Sequence, residues 1–343
     1  VVSINDVAEK ANVSISTVSR VINQNANVSR EKEEAVLKAV DELDYIPNGL
    51  AQGLVTKKSK SIGVLIADIA NLYYSYLVKS IEKELRAAGY YAVIGNTEWD
   101  GKREKEYVRH LMQRQVDGFI LASTSLTSSY LEQLLEKDIP LVVLDREIKS
   151  DKIDKIRIDD YKGGYQAAEH LLECRYNYFI HLQGADFTAT AADRARGFKD
   201  CMQDNGIDHS NYKVISSSFV ESEAAQDIAQ FLDSNNIKDK RPGIFAANDA
   251  AAFGVLKELK KRGIKVPEQA GVVGFDNVNF AEYSSPALTT ISRPIDEIGK
   301  ISARTLLKRL NMNENEKITE KDITLAVKLI RRESTAKISE EKL

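Results

Sequence analysis

The sequence predicts an α/β protein: a small helical headpiece, then two lobes of parallel sheet. Three observations lead there. The first 45 residues carry apolar residues at helical spacing behind capping serines. From Ser61 onward, short and continuously apolar strands alternate with amphipathic helices, at about 30 residues per unit. That alternation runs through two rounds before a last strand pair, and it is the pattern of sheets buried on both faces.

Composition bounds the class. At 343 residues the chain exceeds one core, and 43% apolar with 29% charged residues is a globular mixture. No apolar run nears the ~20 residues of a membrane span. The first residues lack the apolar stretch and cleavage site of an export signal, so a cytoplasmic protein without membrane contact is expected. Cys174 and Cys201 have no CxxC spacing and read as reduced thiols. The four histidines show no metal spacing, so neither metal nor cofactor is expected.

In the headpiece, Ser3 caps a first helix, with Asp6 three residues on in capping-box fashion. Val7, Ala8 and Ala11 form its stripe, and Asn12 suits a left-handed bend. Ser14 caps a second helix in which Val18, Val21 and Ile22 pack inward while Ile15, Ser16, Ser19 and Arg20 face out. Such a hairpin is either an ordinary helical pair or a major-groove reader. A third helix follows Ser29, with Val36, Leu37, Val40 and Leu43 on one face and Pro47 stopping it. Over residues 1–60 eight cations balance eight anions, and the whole chain carries −3. A general basic binder is therefore excluded; any DNA contact must come from shape, helix N-termini and a few placed side chains.

The stretches DVAEKANVSISTVSRVIN, NVS at Asn27–Ser29 and LDYIPNGLA at Leu43–Ala51 resemble the headpiece of the lactose-repressor/galactose-repressor family. The resemblance continues in IGVLIADIANLYYSYL, VDGFIL, IPLVVLDR, AADRARGF, IFAANDAAAFGV, GVVGFDN and PALTTISRP, over essentially the whole chain. It implies DNA contacts from Ser14, Ile15, Ser16, Thr17, Ser19, Arg20, Asn23, Asn27, Asn48, Ala51 and Leu54. In that family the stretch around Asn48–Leu54 is a hinge helix. The match makes Leu54 a wedge in the minor groove, where an apolar side chain prises a base step open. Gln52 and Gly53 depart from the family pattern; glycine costs a helix roughly 1 kcal/mol against alanine.

The expected division is a helix-turn-helix headpiece at 1–46 and a hinge at 47–60. A first lobe spans 61–161 and 293–322, a second 162–292 and 323–337, and 338–343 is a polar tail. Thr289–Ile291 and Pro294–Leu310 would return the chain to the first half, and the strand pair in DITLAVKLIRRES would cross again. Two α/β lobes joined in this way have the periplasmic-binding-protein architecture.

In open parallel sheets, ligands bind beyond the carboxyl ends of the strands. Residues there include Asp68, Asn71–Tyr74, Asp145, Arg146, the 185–194 segment, Phe219, Asn248, Asp249, Phe275 and Asp276. Carboxylates, an arginine fork and aromatic faces suit a sugar. The resemblance implies an effector arginine in Arg194, ligand carboxylates in Asp249 and Asp276, and an aromatic wall of Tyr73, Tyr74 and Phe219. Taken singly, Asp249 is equally a helix cap, and Arg196 reads as structural. Trp99 reads as packing or dimer surface. Arg293, where the family often has glutamine, reads as lying outside the pocket, and Cys174-Arg175 replaces a glycine that usually ends its helix.

The resulting expectation is a homodimeric regulator on a pseudo-palindromic operator. It would repress a carbohydrate-utilisation operon under a sugar or sugar-derived effector. The alternatives are a catabolite regulator answering to a phosphorylated partner protein, and a solute sensor without DNA activity. An enzyme is not expected, since no Ser/His/Asp, Cys/His or metal cluster falls at the strand ends.

Overall fold

The structure is a computed structural model that describes residues 2–22, 28–45, 58–122, 125–146, 148–150, 152–235, 237, 239–312 and 322–337. The chain forms two compact units, residues 1–61 with 114–117, and residues 62–113 with 118–343.

The first unit holds three helices among its described residues: α1 (Ile4–Lys10), α2 (Ile15–Ile22) and α3 (Arg30–Glu42). Ser3 N–H and its hydroxyl both donate to Asp6 Oδ2, at 2.7 and 2.8 Å, so the first turn is tied as expected. Asn12 takes φ 51° at the bend. Val7, Ala8, Val18, Val21, Val36 and Ala39 make the core. Leu37, expected inside, is 49% exposed. Val36 and Ala39 are the residues of α3 buried against the other helices. At the other end of the unit Asp117 accepts from the backbone N–H groups of Ser59 (2.7 Å) and Lys60 (3.0 Å).

In the second unit each of two sheets has six strands among the described residues. The first sheet contains β1 (Ser61–Ile66), β2 (Tyr91–Asn96), β3 (Gly118–Ala122), β4 (Leu141–Leu144), β5 (Asp154–Ile158) and β11 (Asp322–Leu325), in the order β11-β5-β4-β3-β1-β2. The second contains β6 (Tyr178–Gln183), β7 (Tyr212–Ser216), β8 (Pro242–Ala246), β9 (Gly271–Asp276), β10 (Thr289–Ser292) and β12 (Lys328–Ile330), in the order β12-β10-β9-β8-β6-β7. Strands β6 to β10 pair in parallel, and β12 closes the edge antiparallel to β10.

Two strand expectations change. The segment Thr289–Ile291 does not return to the first lobe: β10 pairs with β9, Thr290 opposite Gly274. The return is made by the next helix. Residues 323–325 belong to the first lobe, because β11 pairs with β5, Ile323 opposite Ile156. The last crossing therefore lies between Leu325 and Lys328.

The helices are α4 (Leu72–Ala87), α5 (Gly101–Gln113), α6 (Ser128–Leu135), α7 (Asp160–Glu173), α8 (Ala189–Asp204), α9 (Glu221–Ser234), α10 (Asp249–Lys261), α11 (Phe280–Tyr283) and α12 (Ile295–Leu310). Most begin before their apolar stripe does, at polar caps: Asn71, Thr127, Asp159, Thr188 and Asn248 each accept a bond from a backbone N–H in the first turn. Helix α7 ends with Arg175 at φ 59°, the left-handed position that glycine usually holds. The edge strands β2, β7, β11 and β12 are the exceptions to burial on both faces, β2 most plainly. In β2, Tyr91, Val93 and Ile94 are 72%, 38% and 42% exposed.

Helices α7 and α8 touch backbone to backbone. A Cβ on Gly164 would run into the Arg194 carbonyl oxygen, and one on Gly197 into that of Tyr161. The two glycines thereby set Arg194 beside Asp160.

Candidate functional site

The headpiece presents one face of α2. Ser14 accepts from Thr17 N–H at 3.2 Å, and its hydroxyl lies 2.8 Å from those of Ser16 and Thr17. Behind, Val18 and Val21 are buried; in front, Ile15 is 50% exposed and Ser16 and Arg20 are exposed. Thr17 and Ser19 are half-buried. A helix held by its back, with hydroxyls at its N-terminus and a cation one turn on, can meet phosphate with the former and base edges with the latter. The expectations for Asn23, Asn27, Asn48, Ala51 and Leu54 lie outside the described residues.

The second site lies between the lobes of the second unit, at the carboxyl ends of the strands. Asp145 follows β4, Asp276 ends β9, and Arg293 follows β10. Arg293 sits between the two carboxylates. Its Nη2 donates to Asp145 Oδ1 and, at 2.9 Å, to the Tyr73 hydroxyl; its Nη1 lies 3.4 Å from Asp276 Oδ1. The Tyr73 hydroxyl donates in turn to Asp145 Oδ2 at 2.5 Å, and the guanidinium stacks 3.9 Å over the Tyr73 ring. One cation from the crossing segment thus joins a carboxylate of each lobe.

Burial sets the electrostatics. It raises Asp276 to about 6, against the pull of Arg293 and Arg194. Burial also raises Asp160, opposed chiefly by Arg194. For Arg293, burial works against the charge, but Asp145, Tyr73 and Asp276 together hold it firmly protonated. Asp145, Asp276 and Asn277 all take positive φ (55°, 117° and 58°), as do Glu98 and Trp99 (51° and 60°). Three of these residues, Asp145, Asp276 and Trp99, line the cleft itself.

Arg194 lines the same space. Two of its nitrogens are engaged: Nε donates to Asp160 at 2.8 Å and Nη1 to the Ala247 carbonyl at 2.5 Å, while the guanidinium covers the Phe275 ring at 3.5 Å. Tyr73, Tyr74, Phe219, Asn248, Asp145 and Asp276 also line it. Arg146 lines an adjoining space and donates to the Leu126 carbonyl at 2.6 Å. Arg196 pairs with Asp193 on the surface.

Asp249 is a correction. It does not line the cleft. Asn248 is the cap of α10, and Asp249, one residue on, points back into its own lobe, where it accepts from the Thr290 hydroxyl (2.5 Å) and Val278 N–H (2.8 Å). Burial, then the nearby Asp276, pushes its carboxyl well above the usual range.

Two residues read as outside the pocket are inside it. Arg293 is at its centre. Trp99 lines both spaces: its indole stacks on Phe219 of the other lobe (centroids 5.3 Å apart, planes 20° apart) and meets Tyr74 and Phe187 edge-on. The missed signal was the strand-end rule itself, since Arg293 follows β10 directly and Trp99 lies three residues beyond β2. Among the described residues no group of three or more His, Cys, Asp or Glu could hold a metal ion, and no helix is long and apolar enough to cross a membrane.

Comparison with known proteins adds the following. Residues 3–48 match the model for bacterial regulatory proteins of the lacI family, and residues 168–335 match that for a periplasmic binding protein-like domain. The ribose operon repressor of Halalkalibacterium halodurans is 35% identical over 97% of each chain. The transcriptional regulator DegA of Bacillus subtilis is 33% identical over 98% of this chain and 99% of its own. Among solved structures, a ribose-bound LacI-family regulator from Enterococcus faecium superposes with a TM-score of 0.72 at 33% identity, over 81% of this chain and all of the other. The lac repressor dimer on its operator superposes at 0.83 with 27% identity, over 98% of this chain and 99% of the other.

Proposed function

The chain belongs to the lacI family of bacterial regulatory proteins, and on that premise we propose that it is a cytoplasmic, non-enzymatic repressor that binds a pseudo-palindromic operator as a homodimer and releases or tightens its hold when a small sugar enters the cleft. The single observation that carries this is the presence in one chain of an outward-facing α2 and a two-lobed cleft whose walls come from both sheets. The names of the relatives, a ribose operon repressor and a ribose-bound regulator, favour a neutral sugar over a phosphorylated partner protein.

Ile15, Ser16 and Arg20 would touch base edges, arginine preferring the guanine O6/N7 pair. Leu54 and its mate would open the central base step. The exposed apolar residues of edge strand β2 support a dimer held through the first lobe. Coupling between sugar and operator is reciprocal, typically 1–3 kcal/mol. The test is fluorescence anisotropy on palindromic fragments from upstream of the protein's own gene, with and without D-ribose and related sugars. Nanomolar binding that Leu54→Ala abolishes, and that one of the sugars shifts severalfold, is expected. Binding to no fragment, or equal binding to random DNA, overturns the proposal.

A further inference from the structure

The cleft has two parts of unequal size, and the smaller one is at the centre. There the Arg293 guanidinium is already seated between Asp145 and Asp276, and the space beside it is about 30 Å3, room for a water or two. Past Trp99 and Thr190 it adjoins a chamber of about 230 Å3. That is just under the ~300–1,000 Å3 of sites for drug-sized ligands, and suits one ring better than two.

A neutral ring entering the centre would have to draw Arg293 away from two buried carboxylates. Groups paired in this way resist separation, because each would be left as an uncompensated charge in the interior. The chamber demands no such exchange. Trp99 of one lobe and Phe187 of the other approach edge-on with centroids 6.2 Å apart, and offer apolar faces to the C–H side of a ring. Glu104, 3% exposed, is fixed by bonds from Ser125 N–H and the Ser125 hydroxyl, both 2.8 Å. Arg146 brings the opposite charge to the same wall. Asp145 also lines the chamber but is already paired with Arg293, so the charges left on the chamber wall, Glu104 and Arg146, balance, and a carboxylate and a guanidinium can both bind hydroxyl groups.

Resting on the sugar-effector reading above, we propose that the effector is a single neutral sugar ring seated in this chamber against Trp99, and that Arg293 is a built-in occupant of the centre that sets the size limit. Replacing Arg293 with a shorter neutral side chain joins the centre to the chamber and admits a second ring.

The test is titration calorimetry on the full chain with D-ribose, D-xylose, D-glucose, D-galactose and the disaccharide cellobiose. The wild type is expected to bind a monosaccharide and reject cellobiose. Glu104→Gln, which keeps the acceptor for Ser125 but removes the charge, raises Kd at least tenfold. Phe187→Ala, at a ring 69% exposed and so safe for folding, raises it severalfold. Arg293→Gln brings cellobiose to within tenfold of the monosaccharide. Wild-type affinity in Glu104→Gln or Phe187→Ala overturns the chamber, as does a co-crystal structure with the ring between Asp145 and Asp276. A different outcome, no sugar bound by either the wild type or Arg293→Gln, overturns the effector reading itself.

Discussion

Removing Arg293 is the sharpest test of how the lobes are held. Its side chain is 4% exposed and those of its partners Asp145 and Asp276 are 2% and 5% exposed. Arg293→Met keeps most of the apolar length and leaves two interior carboxylates without their cation. Breaking a buried pair from one side costs about 3–5 kcal/mol. The loss depends on pH, with a sign that follows from Asp276. Its carboxyl is raised by burial to about 6 although Arg293 pulls it down, from an ordinary value of 3.8. A raised acid contributes stability that is fully present below 3.8 and lost as pH climbs through 6, an order-of-magnitude span of about 3 kcal/mol. Without Arg293 the pKa rises further. At pH 5, below about 6, the Asp276 carboxyl is largely protonated with or without Arg293 and part of the penalty is absent; at pH 8 the variant bears nearly all of it. Urea unfolding reads this directly, because Trp99 is the one tryptophan of the sequence and lies in the cleft. The gap between wild type and variant should be about 3–5 kcal/mol at pH 8 and clearly smaller at pH 5. Asp145→Asn in the same background should recover part of it, a coupling of roughly 1–3 kcal/mol. A gap below about 1 kcal/mol at pH 8, or one that narrows as pH rises, would refute the account of the cleft as an ion-paired junction.

Three further outcomes are expected. Arg20→Ala should cost ~1–3 kcal/mol at one base position and relax specificity there, as measured by anisotropy on single-base operator variants; equal loss on all sequences would make Arg20 a phosphate contact. Gly164→Ala should push α7 off α8 at the Arg194 carbonyl, destabilise the second unit by about 1–3 kcal/mol and weaken the sugar response, with thermal melting and sugar titration as readouts. His181, fully buried beside Phe245, has its pKa lowered by burial to about 3, so it contributes stability above its ordinary 6.5 that is lost as pH falls towards 3. His181→Phe should therefore flatten the melting temperature between pH 6.5 and 4; an unchanged slope would remove His181 as the cause.

The sequence was most legible where structure is local. Ser3–Asp6, Asn12 and Ser14 bond or bend within four residues of themselves, so the headpiece could be read from spacing. Leu37 was misread because an apolar side chain on a helix has no obligation to be buried; only the neighbouring helices decide which face is covered. The cleft was legible where a readable strand ended one or two residues before the site, as at Asp145 and Asn248. It failed where one residue of phase mattered. Asn248 and Asp249 are adjacent polar residues at one strand end, and the start of α10 turns the first to the cleft and the second to Thr290.

Arg293 escaped for a deeper reason. A charged residue reads as surface unless partners for it are known, and its partners lie 17, 148 and 220 positions away, at Asp276, Asp145 and Tyr73. Such a charge enters the interior only after β4, β9 and β10 have been aligned with their carboxyl ends towards one another. The guanidinium can join both lobes because the chain crosses between them at that point, with Arg293 between β10 of one lobe and α12 of the other. A residue on either lobe alone would follow that lobe when the cleft opens, and would hold one carboxylate while losing the other. Placed in the crossing, between a carboxylate of each lobe, Arg293 can keep Asp145 or Asp276 through a partial opening of the cleft.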